Sequence, residues 1–161
     1  MINILFPKIA NNTFKGNKFA LWLLFLYVAK SIFAGLVHMF FSDGGAQTIG
    51  SVSLDSFTKG GADSVITMFG LWGLEQFVIG LIALIILLRY KSLIPLLWGI
   101  YSIEYLGREL IHLFTPGLVT ETVPPGAMLD TVLVPLAILM FLFSIYTTKK
   151  NTDLKKNKLF Y

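Results

Sequence analysis

Four long runs of apolar residues, separated by polar segments, dominate the hydrophobic pattern of this chain. A helix that crosses a bilayer needs about 20 mostly apolar residues. Four segments meet this requirement, at residues 19–41, 64–88, 92–113 and 128–146. Only residues 89–91 separate the second segment from the third, which predicts a tight antiparallel hairpin. The pattern therefore predicts a single all-α domain, an integral membrane four-helix bundle.

The composition agrees with a protein that lies in a lipid bilayer. Of the 161 residues, 55% are hydrophobic and 14% are charged, whereas a soluble domain carries about 25% charged residues. High hydrophobicity with few charges also excludes intrinsic disorder. The chain has no cysteine, which excludes disulfide bonds, thiolate metal sites and a cysteine nucleophile.

The distribution of basic residues predicts the orientation of the spans. Lysine and arginine in short loops favour the cytoplasmic side of a membrane. Ten of the 13 basic residues fall on one side of the predicted spans: Lys8, Lys15, Lys18, Arg89, Lys91, Lys149, Lys150, Lys155, Lys156 and Lys158. Both termini are therefore predicted to be cytoplasmic, with residues 147–161 as a lysine-rich tail. Contact with anionic lipid headgroups, rather than with nucleic acid, accounts for the net charge of +4.

Two further patterns make local predictions. Residues 42–63 carry glycine pairs at both ends and a weakly alternating middle, which is typical of a short strand or an interfacial turn. Glycines recur within the predicted helices, where small residues let helix backbones approach closely. We expect such close contacts at Gly70, Gly73, Gly80, Gly99 and Gly107.

Ionisable residues inside the predicted spans are the candidates for chemistry. A charge at the bilayer centre costs at least about 2.5–3.5 kcal/mol on insertion scales, so such residues usually face the bundle interior. The candidates are Lys30 and His38 in the first span, Glu75 in the second, and Glu104, Arg108, Glu109 and His112 in the third. Helical periodicity places most of them on one stripe per helix, and we expect these stripes to converge.

The depth of these residues predicts an asymmetric cavity. Lys30, Glu75 and Glu104 lie near the middle of their spans, and the other candidates lie in the outer half. The inner half of every span is almost purely apolar. The pattern therefore predicts a polar cavity that opens outward and closes toward the cytoplasm, with the lipid bilayer around it.

The intramembrane charges have a structural interpretation and a functional one. In the structural interpretation, Glu104 and Arg108 form an i,i+4 pair and Lys30 neutralises Glu75. The spans hold two cations and three carboxylates, counting Glu109, and the surplus carboxylate favours a ligand-binding or proton-linked site.

A metal site is a further alternative to these two interpretations. His38, Glu109, His112 and Asp130 form a nitrogen and oxygen donor set that suits a divalent ion. Glu109 and His112 are spaced i,i+3, as in the Glu-x-x-His motif of di-iron bundles. Those bundles use this motif twice, whereas this chain has it once.

Two segments resemble a known family. The second span contains G-L-W-G-L-E-Q-F-V-I-G-L at residues 70–81, and E-Y-L-G-R-E-L-I-H-L-F-T-P-G follows at residues 104–117. Together they resemble the DoxX-like group of small bacterial four-helix membrane proteins, over residues 63–117. The resemblance implies a four-helix fold and a place in the bacterial cytoplasmic (inner) membrane. Some DoxX-like members are associated with quinone or thiol redox systems, and the lack of cysteine here excludes the thiol chemistry.

These observations leave three hypotheses for the function. The first is a binding or transport protein for a small amphipathic or cationic ligand, or for protons. The second is a structural or accessory subunit of a larger membrane complex. The third is an enzyme or redox component that acts on a lipid or quinone, with Glu109 or His112 as the acid–base group. No nucleophile and base at a defined spacing support an enzyme, and the sequence identifies no cofactor.

Overall fold

The chain folds into helices joined by turns and short irregular segments. The computed structural model describes residues 2–158 except 112, 118 and 121, with side chains as far as residue 146. The α-helices in this part of the chain are α1 (Ile2–Leu5), α2 (Lys18–Phe40), α3 (Lys59–Arg89), α4 (Ile94–Ile111) and α5 (Pro125–Lys158). The described residues contain no β-strand beyond one isolated bridge. The predicted all-α fold is therefore confirmed.

Three of these helices are long and apolar enough to cross a membrane. They are α2, α3 and the part of α5 that ends at Tyr146, which makes this a multi-pass membrane protein. Helix α3 begins five residues before the predicted boundary, because the Thr58 hydroxyl accepts a hydrogen bond from the Gly61 amide and caps the helix. Helix α4 carries three charged residues among its 18 and does not belong to this apolar group.

The helices pack as two main pairs. Helix α2 lies along α3, and α4 lies along α5. The connection between α3 and α4 is as short as predicted, with Tyr90 followed by a single 3-10 turn at Lys91–Leu93. Even so, α3 and α4 make few contacts with each other. The predicted tight pairing of these two helices is therefore wrong, although their connection is tight.

An aromatic layer forms the centre of the bundle. Tyr27 of α2 lies edge-on against Trp98, Tyr101 and Tyr105 of α4, with ring centroids 5.0–5.6 Å apart. All four rings are buried. Edge-to-face aromatic pairs are worth about 0.5–1.5 kcal/mol beyond the area that they bury. This layer joins α2 to α4 and sets the position of the polar residues next to it.

Glycines bring α2 and α3 into backbone contact. A Cβ atom at Gly73 would lie 2.5 Å from the His38 Cβ atom, and one at Gly80 would lie 2.8 Å from the Ile32 side chain. The predicted close contacts at these two glycines are therefore confirmed, and Gly35 on α2 makes another. The prediction is wrong for Gly107, because no described residue would lie within 4 Å of a Cβ atom there.

The segment between α2 and α3 is a compact turn rather than a strand. The Asp43 carboxylate accepts hydrogen bonds from the amides of Gly45, Gln47 and Thr48 at 2.7–3.1 Å. Burial alone raises the pKa of Asp43, but these N–H donors outweigh it and the net pKa is lowered. Gly44 and Gly45 adopt left-handed backbone angles, with φ of 61° and 70°, which glycine tolerates without strain.

Candidate functional site

A group of charged residues lies where α2, α4 and α5 meet. We call Lys30, Glu104, Tyr105, Arg108 and Asp130 the charged cluster. The Arg108 guanidinium pairs with Glu104 one turn earlier on α4, and its second nitrogen lies 3.6 Å from the Asp130 carboxylate on α5. The side chains of Arg108, Glu104 and Asp130 are only 14–20% exposed. Arg108 therefore holds two mostly buried carboxylates and ties α4 to α5.

Aromatic rings enclose the Arg108 guanidinium. Its central carbon lies 5.1 Å from the Trp72 ring centroid on α3 and 5.0 Å from the Tyr105 ring centroid on α4. A guanidinium within about 6 Å of a ring face gains cation–π energy, and more so away from water. Arg108 therefore links three helices, because it contacts α3 through a ring and α5 through a carboxylate.

Lys30 is bound differently from Arg108. Its ammonium donates a hydrogen bond to the Tyr105 hydroxyl at 3.0 Å, and it lies 5.0 Å from that ring centroid. In the part of the chain that the structure describes, no carboxylate lies within 4 Å of the Lys30 ammonium. The interpretation that paired Lys30 with Glu75 is wrong, because Glu75 lies on an exposed face of α3.

A cavity of about 170 Å³, open on one side, lies beside Lys30, between α2 and α5. Leu23, Leu26, Tyr27 and Lys30 form the α2 side, and Leu129 and Leu133 form the α5 side. The Tyr27 hydroxyl donates a hydrogen bond to the Leu133 carbonyl at 2.8 Å, which fixes the two walls together. The sequence predicts a polar cavity, whereas this lining is apolar apart from Lys30 and Tyr27, since the carboxylates turn toward Arg108.

Some polar atoms near the cluster are buried without a hydrogen-bond partner among the described residues. They include Asp130 Oδ1, Trp98 Nε1 and Gln76 Nε2. A buried polar atom left without a partner costs about 1–3 kcal/mol. Asp130 thus has one oxygen directed at Arg108 and one with unused capacity to accept a hydrogen bond. From the sequence, Asp130 is a candidate only for the alternative metal site.

His38 lies outside the charged cluster but contacts the same tryptophan. Its ring stacks on Trp72 with centroids 4.9 Å apart and meets Phe69 edge-on at 5.5 Å. Its Nδ1 atom is 2.7 Å from the Gly44 carbonyl oxygen. His38 therefore joins the turn after α2 to α3. It connects to the charged cluster through Trp72, whose ring also contacts Arg108.

Two other predicted site residues, Glu75 and Glu109, do not join the charged cluster. Glu75 and Glu109 are exposed on α3 and α4, and His112 lies outside the described residues. Among the residues that are described, no three His, Asp or Glu side chains come together in a way that could hold a metal ion. The alternative metal site requires His112, so it stays a prediction.

Two tyrosines act as hydrogen-bonding partners beside the charged cluster, and neither is among the ionisable candidates that the sequence predicts. Tyr105 binds Lys30, and Tyr27 binds the backbone of α5. Tyr105 is about 100° around α4 from Glu104, so the polar stripe on that helix did not include it. The signal that could have found it is the spacing of Tyr101, Tyr105 and Arg108, since these positions share a helix face.

Comparisons with protein families, with curated proteins and with solved structures find no match to this chain. The resemblance to the DoxX-like group, carried by residues 70–81 and 104–117, therefore stays a prediction. The function has to be argued from the chemistry of the site.

Proposed function

We propose that this protein crosses the membrane four times, with both termini in the cytoplasm, and binds or transports a small amphipathic ligand. The apolar part of the ligand occupies the cavity between α2 and α5, and its polar group contacts Lys30. The observation that carries this proposal is an ammonium group in the wall of an otherwise apolar cavity. Access is from the non-cytoplasmic half, where Arg108 and Asp130 lie in the proposed topology.

The hydrogen-bonding capacity of Lys30 indicates the chemistry of the ligand. An ammonium group has three N–H donors, and Tyr105 accepts one of them. Arg108 binds the two nearby carboxylates, Glu104 and Asp130. A ligand with a carbonyl or carboxylate oxygen would use the remaining donors and offset the cost of a charge in the membrane. An acyl-chain acid and a quinone both fit, whereas a cationic ligand would be repelled by Lys30.

The fourth span in this proposal is α4. Its charged residues Glu104 and Arg108 are mostly buried next to α5. Its exposed hydrophobic side chains are Ile100, Ile103, Leu106, Leu110 and Ile111, and its exposed charged side chain, Glu109, lies in the last turn. A helix that buries its mid-span charges, and whose exposed charge lies at its end, is suited to contact with lipid. This arrangement supports a span that hydropathy alone does not identify.

A pair of topology reporters tests the span count. An enzymatic reporter fused after Tyr161 should be active in the cytoplasm, and one inserted near Gly50 should be active on the opposite side. We expect this because basic residues, which favour the cytoplasmic side, are concentrated at the end of the bundle that holds both termini. A reporter inserted at Ser92 provides the matched control, because the proposal places it in the cytoplasm. A cytoplasmic signal at Gly50 would contradict the four-span topology.

Two probes of equal chain length and opposite charge test the ligand site. Dodecanoate should bind the full-length protein in lipid nanodiscs by equilibrium dialysis, after correction for empty nanodiscs, and dodecyltrimethylammonium should not. Hydrogen bonds to a charged group are worth about 1.5–3 kcal/mol, so Lys30→Met should weaken dodecanoate binding by roughly tenfold or more. Lys59→Met removes an exposed lysine and should leave binding unchanged. Equal binding by the parent and Lys30→Met would contradict the proposal.

The exposed position of Glu75 favours a second candidate, an accessory subunit of a membrane complex. Glu75 lies near the middle of α3, and the exposed side chains around it, Leu71, Leu74 and Val78, are apolar. A carboxylate at this depth is costly next to lipid, and a basic residue on a helix of another subunit would offset that cost. If neither probe binds the parent protein, this candidate is preferred.

A further inference from the structure

A second cavity, of about 320 Å³, lies at the end of the bundle that carries the basic residues. It is formed by the segment before α2 together with the start of α4. Five polar side chains line it, and they are Asn3, Asn11, Thr13, Lys15 and Ser92. The amide, hydroxyl and ammonium groups of these residues are hydrogen-bond donors. The remainder of the lining is apolar and includes Ile4, Phe14 and Pro95.

Hydrogen bonds hold the wall of this cavity in place. The backbone N–H of Asn11 donates to the Ser92 hydroxyl at 2.9 Å, and the backbone N–H of Ser92 donates to the backbone carbonyl of Asn11 at 3.0 Å. The Asn11 side chain in turn accepts a hydrogen bond from the Thr13 amide at 2.9 Å. The N-terminal segment is therefore tied to the connection between α3 and α4. A site held in this way loses little conformational freedom when it binds.

Basic residues predominate around this cavity. Residues 1–42 and 76–103 contain no aspartate or glutamate. The segments that form the cavity and the adjoining helix ends carry five basic residues, which are Lys8, Lys15, Lys18, Arg89 and Lys91. A cavity with several donors in a mainly positive field, and with no carboxylate among the described residues of its lining, favours an anion with several acceptor oxygens.

The position of the cavity relative to the membrane narrows the choice of anion. Helix α2 begins at Lys18 and α3 ends at Arg89, so the cavity lies where the apolar spans reach the membrane surface. Phospholipid headgroups occupy this depth, and basic residues here attract anionic lipids. The apolar lining beside the donors suits the glycerol and first acyl carbons of a lipid better than it suits a free ion.

We propose that this cavity binds the phosphate group of an anionic phospholipid, with Lys15 and Thr13 as ligands. The proposal is independent of the ligand site at Lys30, because the two cavities have no lining residue in common. Bound lipid would fix the N-terminal segment against the start of α4.

Native mass spectrometry of the full-length protein tests this proposal. The protein is released from micelles that contain equal amounts of phosphatidylglycerol and phosphatidylcholine with matched acyl chains. We expect preferential retention of phosphatidylglycerol. One lysine near a membrane surface contributes about 1 kcal/mol toward anionic lipid, so Lys15→Gln should lower this retention roughly fivefold. Thr13→Val, which keeps shape and charge, should also lower it.

Lys8→Gln is the matched control, because Lys8 lies in the same segment but does not line the cavity. It should change retention little. Equal losses in Lys8→Gln and Lys15→Gln would show general surface attraction and overturn the proposal, as would equal retention of the two lipids. Glycerol 3-phosphate is added as a competitor, and if it displaces the lipid, the source is a soluble phosphate compound and the lipid assignment is overturned. Lys30→Met should not alter lipid retention, which separates this result from the ligand site.

Discussion

Replacement of Arg108 by methionine is expected to destabilise the folded bundle by about 3–5 kcal/mol, the typical cost of leaving a buried charge without its partner. The guanidinium holds the carboxylates of Glu104 and Asp130, all three side chains being at most 20% exposed. Methionine keeps much of the side-chain length and its contact with Trp72. The loss of folding stability is therefore attributed to the removed charge. The measurement is unfolding of the purified protein by sodium dodecyl sulfate titration, followed by circular dichroism.

Neutralising the carboxylates should reverse much of this loss. The triple variant Arg108→Met, Glu104→Gln, Asp130→Asn removes all three charges, and it should be more stable than Arg108→Met alone. Lys59→Met is the matched control, because Lys59 and Asp63 form an i,i+4 ion pair that is exposed, and such pairs contribute little. If the single and triple variants were equally unstable, burial of the two carboxylates would not depend on their pairing with Arg108.

The apolar pattern was sufficient to predict the helices. The segments 19–41, 64–88 and 128–146 coincide with α2, with most of α3 and with the apolar part of α5. Backbone groups must be satisfied within each span in lipid, so a long apolar run has few alternatives to a helix. The predicted contact between Glu104 and Arg108 was also confirmed, because i,i+4 neighbours meet on any straight helix.

The direction of Glu75 was not predictable from its own helix stripe. The sequence predicts that Glu75 faces the bundle axis, yet its side chain is exposed. Close packing at Gly73 and Gly80 determines which face of α3 meets α2. Glu75 is two residues from Gly73, or about 200° around the helix, so it must lie on the opposite face. The cost of a charge in the membrane favoured burial of Glu75, but the glycine contacts determined the orientation of α3.

Contacts between helices that are distant in sequence were the least predictable part of the site. Lys30 on α2 contacts Tyr105 on α4, which is 75 residues away, and Asp130 on α5 contacts Arg108 on α4. Each contact depends on the depth and rotation of one helix relative to another. Helix α5 is apolar on most sides over its first 22 residues, so its pattern does not specify a rotation. The apolar pattern was therefore sufficient to predict where the helices occur, but not to predict these contacts between them.

Adding a methyl group at the α2–α3 contact is expected to destabilise the bundle strongly. In Gly73→Ala the new Cβ atom would lie 2.5 Å from the His38 Cβ atom and 2.9 Å from the Gly35 carbonyl oxygen. In Gly35→Ala it would lie 2.7 Å from the Gly73 carbonyl oxygen and from the Phe77 nitrogen. Both clashes involve backbone atoms or a Cβ atom, which no side-chain rotation relieves. Overpacking typically costs about 1–3 kcal/mol, and rigid neighbours favour the upper end.

Gly107→Ala is the matched control for these variants, because none of the described residues would lie within 4 Å of a Cβ atom at that position on α4. Alanine is favoured over glycine in a helix by about 1 kcal/mol, so this variant should be as stable as the parent or more stable. The same detergent titration compares all three variants. If Gly35→Ala and Gly73→Ala were as stable as Gly107→Ala, helices α2 and α3 would not approach closely at this level. Trp72 would then not be held where its ring can contact both His38 and Arg108.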